Sequence, residues 1–329
     1  MNILVTGGAG YVGSHVVEEL LKTGKHQIVT LDNLQKGHPE AVLGGEFIKG
    51  DLTDTKLLDE IFREHAIEAV VHLAADSLVG ESVEHPGKYF HNNLVNGLNL
   101  LNAMVRHDAK YIVFSSTAAV YGEPVRTPID EDHPHVPTNP YGESKLFFEK
   151  IMARYEHAYG LGHISLRYFN AAGASQSGAI GEDHRPETHL IPIVLEVALG
   201  QREHVAIFGT DYDTPDGTCI RDYVHVTDLA NAHLLALDAL ASGAPSTAYN
   251  LGNGEGFSVR EVIDMVEQVV GRSLPQVEGT RRAGDPAVLV ASSRRIMEEL
   301  GWQPRYHDLK TIVQTAWDWH KRRPHGFGE

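Results

Sequence analysis

"NILVTGGAGYVGSHVVEELLKTG", residues 2–24, decides the fold. An apolar, β-branched run reaches Thr6, glycines crowd the next positions, and helical periodicity takes over from Tyr11 until Gly24 offers a C-cap. Gly7, Gly10 and Gly13 fall in a G-x-x-G-x-x-G pattern between the strand and the helix. A backbone without Cβ can turn sharply there. It also lets an anion approach the free N–H groups at the helix start, where the dipole favours negative charge. Alone, such a turn serves packing as readily as phosphate binding, so its surroundings must decide.

Working outward, apolar segments follow at "QIVTLDN" (27–33), "GEFIKGD" (45–51), "EAVVHLAA" (68–75), "YIVFSSTAAVYG" (111–122) and "HISLRYFN" (163–170). Helical stretches near 56–65, 89–107 and 141–159 lie between them. Strand, helix, strand in this rhythm predicts right-handed crossovers and a doubly wound parallel α/β (Rossmann) sheet over 1–170. Beyond 170 the rhythm breaks into Gly- and Ser-rich loops and short strands, with a capping box from Ser258 to Glu261. A smaller mixed α/β domain is expected from 171–217 and 245–290. Residues 218–244 and part of 291–329 are expected to return to the first domain.

Composition narrows the partners. The 329 residues carry 28 basic and 44 acidic side chains, a net charge of −16. Nucleic acid and anionic membranes demand a basic face, so neither is expected. A single cysteine, Cys219, excludes an intrachain disulfide and suits a reducing compartment. Neither a signal peptide nor a membrane span is expected: "MNILVTGGAG" lacks a charged n-region and goes straight into a strand pattern, and no apolar run approaches roughly 18 residues. A cytoplasmic protein is expected. No metal site is expected either: "EDHPHVP" (131–137) is the densest histidine group, but it reads as a solvated loop without a zinc-binding spacing.

The chemistry gathers at strand ends. Asp32 closes the second strand about 20 residues past the turn, where a carboxylate accepts ribose hydroxyls and repels a 2′-phosphate. NAD is therefore favoured over NADP. Asp51 closes the third strand, Ala74 and Ala75 leave room beyond the fourth, and Ser115, Ser116 and Thr117 end the fifth. Ligands of open α/β sheets bind outside those carboxyl ends. In "NPYGESK" (139–145), Pro140 opens a helix and Tyr141 and Lys145 share one face. Each feature has a plain structural reading by itself: a turn former, a surface acid, an exposed tyrosine.

Together they resemble the extended short-chain dehydrogenase/reductase superfamily and, within it, the UDP-glucose 4-epimerase family. The likeness rests on "TGGAGYVGSH", "VHLAA", "VGESV", "FSSTAAVYG", "NPYGESK", "LRYFNAAGA", "VAIFG", "DGTCIRDYVHV", "YNLGNG" and "RRAGDP", and it covers essentially the whole chain. It implies an NAD-dependent isomerase that inverts C4 of a UDP-hexose through a transient 4-keto sugar. Tyr141 would be the base, its phenolate favoured by the Lys145 ammonium and the nicotinamide charge. Thr117 would hold the 4-hydroxyl, and Lys145 the nicotinamide ribose. Tyr11, Val12, Asp32, Asn33, Asp51, Leu52, Leu73, Ala74, Ala75, Asn92, Ser115, Tyr168 and Phe169 fall where the family contacts NAD. Asn170, His189, Leu190, Ala206, Phe208, Arg221, Arg282, Asp285 and Leu289 fall where it holds the UDP-sugar.

Some positions depart from the family or separate it from rivals. Thr117 stands where some members carry Ser, and Ser77 where some carry Lys. A nucleotide-sugar 4,6-dehydratase would need Asp-Glu after Thr117, where Ala118 and Ala119 stand. An NAD-binding member without activity would have lost Tyr141 or Lys145. An epimerase of UDP-N-acetylhexosamines stays open, with Leu289 as the expected gate at the sugar's C2 substituent. A homodimer pairing the helices near 89–107 and 141–159 is expected.

Overall fold

The computed structural model describes residues 1–282 and 284–328. Its first half runs β1 (Asn2–Thr6), α1 (Tyr11–Thr23), β2 (Gln27–Asp32), β3 (Glu46–Lys49), α2 (Thr55–Glu64), β4 (Ala69–His72), α3 (Val79–Glu84), α4 (Pro86–Phe90), α5 (Asn96–Arg106), β5 (Tyr111–Thr117), α6 (Pro140–Tyr159) and β6 (Gly162–Tyr168). A π-helical turn, His91–Val95, joins α4 to α5 within the stretch expected as one helix. The second half adds β7 (Asn170–Ala172), α7 (Leu190–Ala198), β8 (Val205–Phe208), β9 (Ile220–His225), α8 (Val226–Ala241) and β10 (Thr247–Leu251). It ends with β11 (Gly256–Ser258), α9 (Val259–Val270), β12 (Gln276–Gly279), β13 (Val288–Leu289), α10 (Arg294–Leu300) and α11 (Leu309–Arg322).

Seven strands form one parallel sheet in the order β10-β6-β5-β4-β1-β2-β3. The central strands are uniformly apolar because helices cover both faces. Ile3 and Val5 point into a core with α1 and α8, and Leu4 into another with α2, α5 and α6. Each such side chain contributes about 1.5–3 kcal/mol by leaving water. Strand order reverses between β1 and β4, which opens a crevice at their carboxyl ends. The glycine turn and the end of β5 both face it.

The smaller sheets are β11-β9-β13, with β7 on β9, and β12-β8. They pack with α7, α9 and α11 around Val194, Leu195, Val262, Ile263, Ile312 and Val313. The capping box starts α9: Glu261 N–H donates to Ser258 Oγ at 3.0 Å, and Ser258 N–H to Glu261 Oε2 at 2.7 Å.

Two segments sit elsewhere than the sequence predicts. Thr247–Leu251, expected in the smaller unit, is the edge strand of the large sheet, paired with β6. Ile220–His225 goes the other way, into the small sheet beside β7, β11 and β13. Both strands are short and bounded by loops, and periodicity over so few residues cannot say which sheet edge a strand will join. Among the described residues no helix is long and apolar enough to cross a membrane.

Candidate active site

The turn after β1 needs its glycines for different reasons. Gly7 adopts φ +74°, and a Cβ there would lie 2.6 Å from the Ala74 nitrogen. A Cβ on Gly13 would meet the Gly7 carbonyl oxygen at 2.1 Å. Those two positions are fixed by packing of the turn against β4 and α1. Gly10 is the N-cap of α1 and supplies no capping side chain, so the helix start keeps its polarity for a ligand. Beside it, Asp32 accepts the Ala9 N–H at 3.0 Å and the Leu34 N–H at 2.8 Å. Burial pushes its carboxyl up, and these two bonds pull against that. Asp51 accepts from the Asn33 amide at 2.6 Å and from Thr53.

Across the crevice, Asn139 caps α6 by accepting the Gly142 N–H at 2.9 Å, with Pro140 in the first turn. This puts Tyr141 and Lys145 on one face, beside the end of β5. Lys145 is buried, donates to the Ser115 carbonyl at 2.8 Å, and stands 6.0 Å from the centre of the Tyr141 ring. Burial pulls its ammonium down to about 7, against the opposing charge of Glu149. Burial also pushes the Tyr141 phenol well up; nearby Tyr168 adds to this and hydrogen bonding with Thr117 offsets it. The protein alone therefore does not favour phenolate; the expectation includes the nicotinamide charge as well as that of Lys145. That ammonium is committed to Ser115 and is itself weakened by desolvation.

Behind the pair lies a buried network the sequence did not disclose. Glu149 accepts from Ser116 at 2.5 Å and from both faces of the Arg167 fork at 3.0 and 2.6 Å. Arg167 also donates to Tyr121, which donates to Asn250 at 2.6 Å. It ties α6, β5, β6 and β10 together and so fixes where Tyr141 and Lys145 stand. The i,i+4 spacing of Lys145 and Glu149 was the available signal.

A cavity of about 400 Å³ runs along the crevice. Its walls include Gly7, Gly10, Tyr11, Val12, Gly13, Asp32, Asn33, Asp51, Leu52, Leu73, Ala74, Ala75, Asn92, Tyr141, Lys145, Tyr168 and Phe169, and also Thr117, Asn170, His189 and Ser77. Ser115 stands behind the wall, where its hydroxyl meets His233 at 3.1 Å and Tyr168 at 3.2 Å. The glycine cradle, the uncapped helix start and the two strand-end carboxylates suit a dinucleotide: an anion at one end, ribose hydroxyls at the other.

Leu190, Ala206, Phe208, Arg221, Arg282, Asp285 and Leu289 lie outside those walls, so they do not join the cofactor residues in one cavity. Part of this set forms a second constellation. The Arg282 guanidinium stacks 4.0 Å over the Phe208 ring, and Arg221 pairs with Asp285 at 3.5 Å while donating to the Pro286 carbonyl at 2.9 Å. Leu289 is in register with Arg221 and packs in a cluster that includes Phe169 of the cavity wall. Phe169 thus connects the two groups.

Histidines bring two further findings. His133 is not solvated: it is buried, and its Nε2 accepts the Val125 N–H at 2.9 Å, folding the 124–137 loop on itself. At the cavity rim, Glu182, His184, Glu187 and His189 converge, with their ligand-capable atoms all within 4.8 Å of one another. Against the burial that would lower them, the two carboxylates push His184 up to about 9 and His189 up to about 10. The spacing E-x-H-x-x-E-x-H in "EDHRPETH" was the signal for this group, although it matches no familiar metal motif.

The profile of the NAD dependent epimerase/dehydratase family matches residues 3–252. The UDP-glucose 4-epimerase of Halalkalibacterium halodurans is 58% identical over 327 residues, covering 99% of this chain and 98% of that one. A crystal structure of a UDP-glucose 4-epimerase superposes with a TM-score of 0.98 at 52% identity, covering 100% of both chains. The Bifidobacterium longum UDP-glucose 4-epimerase, solved with NAD+ and UDP, gives a TM-score of 0.94 at 39% identity, covering 99% of this chain and 100% of that one.

Proposed function

The chain belongs to the NAD dependent epimerase/dehydratase family, and from that premise we propose that it is a UDP-glucose 4-epimerase, inverting C4 of a UDP-hexose with NAD as cofactor. The observation that carries this reading is the juxtaposition of Thr117, Tyr141 and Lys145 with the glycine turn and Asp32 around one cavity. NAD+, when bound, supplies the acceptor and donor of hydride together with a positively charged ring. Tyr141 takes the proton of the 4-hydroxyl and, once the 4-keto sugar has turned its other face to the cofactor side of the cavity, returns the proton to that oxygen, so that C4 is inverted. Thr117 orients that hydroxyl, and Lys145, anchored on Ser115, holds a ribose and stands beside the phenol. Because burial keeps the phenol protonated, Tyr141 acts as a base only once positive charge has been added to the site.

Gly7, Gly10, Tyr11, Val12, Gly13, Asp32, Asn33, Asp51, Leu52, Leu73, Ala74, Ala75, Asn92, Tyr168 and Phe169 hold the dinucleotide in this proposal, with Ser115 supporting Lys145. Asn170, His189, Leu190, Ala206, Phe208, Arg221, Arg282 and Asp285 hold the UDP-sugar. The guanidinium forks of Arg221 and Arg282 match diphosphate oxygens. The labour divides accordingly, the large sheet binding cofactor and the smaller sheets binding sugar nucleotide. We extend the reading to a cytoplasmic homodimer, in which the exposed Val95 and Phe147 near α5 and on α6 would be covered.

A 4,6-dehydratase remains disfavoured, since Ala118 and Ala119 offer neither the acid nor the base that loss of water requires. The test is a coupled assay of UDP-galactose conversion without added NAD, on wild type and Tyr141→Phe. Wild type should turn over on its retained cofactor, and the variant should lose at least ~100-fold in kcat with its fold and NAD content intact. A folded, NAD-loaded Tyr141→Phe protein with ordinary turnover would contradict the assignment.

A further inference from the structure

We propose that Glu182, His184, Glu187 and His189 form a binding site for one divalent transition-metal ion of the zinc class, which clamps the 173–189 segment against the rim of the cavity. The geometry carries this. Glu182 Oε1 lies 2.8 Å from His189 Nδ1 and 3.1 Å from His184 Nδ1. Glu187 reaches the same two nitrogens through different oxygens, Oε1 to His189 at 3.0 Å and Oε2 to His184 at 3.8 Å. A tetrahedral site with arms of about 2.1 Å has ligand–ligand edges of about 3.4 Å. The nitrogen–oxygen separations of 2.8–3.8 Å bracket that length, and rotating the Glu187 carboxylate so that one oxygen faces both imidazoles, with the four side chains drawn inward, completes the site.

The donor set selects the ion. Two imidazoles and two carboxylates suit zinc and its neighbours, whereas calcium and magnesium want six or more oxygens. Two carboxylates also cancel the charge of a dication, which suits a largely buried Glu182. Tyr11 stands edge-on to His184 with ring centres 6.0 Å apart, limiting the rotation of that imidazole.

The surrounding contacts say what the ion would do. Tyr11 donates to the Gly173 carbonyl at 2.7 Å, Lys36 to the Arg185 carbonyl at 2.9 Å, and Phe327 N–H to Asp183 at 2.9 Å. The segment is thus laid over the glycine turn by scattered polar contacts. A metal joining Glu182 and His184 to Glu187 and His189 would lock its last turn to the head of α7, where His189 is the N-cap. Without the ion, His–Glu pairing keeps the same four side chains gathered. The site uses only Nδ1 of His189, which leaves Nε2 for the sugar nucleotide, so the inference does not depend on the epimerase reading and its readout is metal binding rather than turnover.

The experiment uses the full chain after dialysis against a chelator. Cobalt(II) titration of wild type should give one equivalent per chain with the intense visible absorption of a tetrahedral site, lost when one equivalent of zinc is added. Zinc-edge X-ray absorption on the same protein should report two imidazoles and two further oxygens at about 2.0–2.2 Å. Glu187→Gln and His184→Gln should each weaken zinc binding at least tenfold and abolish the rise in Tm that zinc gives wild type. Absence of the tetrahedral cobalt spectrum in wild type, a different ligand set at the zinc edge, or unchanged affinity in both variants would each overturn the proposal. The first two readouts need no variant, so a misfolded substitution cannot obscure the result.

Discussion

At the head of α1, Gly7, Gly10 and Gly13 present bare backbone; beside β9 and β13, Arg221 and Arg282 present charged forks. Both places suit phosphate, and in the proposed function each takes a diphosphate, one of the cofactor and one of the sugar nucleotide. Backbone recognition is written in eight consecutive residues, because a turn and a helix start are local objects. Side-chain recognition is assembled from positions 208, 221, 282 and 285, which only the fold brings together. The two fail differently as well. Adding a methyl group breaks the first by steric contact, whereas the second is broken by removing a charge.

If the cofactor side is the rigid, chemistry-bearing half, changes there should be large. Lys145 gives the largest expected shift. Its buried ammonium sits near 7 instead of its ordinary value, so the folded state is penalised whenever the unfolded chain would hold that proton. The penalty is complete below pH 7 and fades as pH rises toward 10.5. Lys145→Met should therefore lose activity yet gain about 4 kcal/mol of stability at pH 6, with the gain shrinking steadily at higher pH. Denaturant unfolding at pH 6 and pH 9 reads this directly, and a destabilised variant at pH 6 would break the account of that lysine.

The next effect is on cofactor choice. Asp32→Ala removes the carboxylate that would repel a 2′-phosphate, so the preference for NAD over NADP should narrow by roughly 10–100-fold. Extraction of the bound nucleotides after exposure to both cofactors measures it. A preference unchanged by the substitution would mean that Asp32 serves only the Ala9 and Leu34 amides.

The smallest effect belongs to the sugar side. Leu289 lies beside Arg221 and packs against the Phe169 group, as a side chain limiting the space near the sugar should. Leu289→Ala should raise kcat/KM for UDP-N-acetylgalactosamine relative to UDP-galactose by about tenfold, and Leu289→Tyr should lower it, a packing difference of roughly 1–3 kcal/mol. Equal ratios in all three proteins would make Leu289 plain core.

These contrasts also explain what the sequence disclosed. The parallel sheet was legible from alternating apolar and helical runs, and Gly7 to Gly13, Asp32, Tyr141 and Lys145 from spacing inside single elements. Arg221, Arg282, Phe208 and Asp285 came only through resemblance, since no local pattern joins them. The placement of Thr247–Leu251 failed because edge strands of a few residues are sorted by tertiary contacts. Of the Glu182–His189 group only His189 is legible, through the resemblance, because the loop has no periodicity to point all four side chains one way. The upward push on the Tyr141 phenol is hidden for another reason: charge proximity is visible in a sequence, but burial is not.

The central claim is that the hydrogen leaving C4 of a UDP-hexose comes back to C4 from within this cavity. UDP-galactose carrying deuterium at C4, converted by the wild-type protein on its retained cofactor, tests this in one experiment. The account predicts UDP-glucose with the label quantitatively at C4. Loss of the label to solvent, or its appearance at C6 in a product that has lost water, would contradict it.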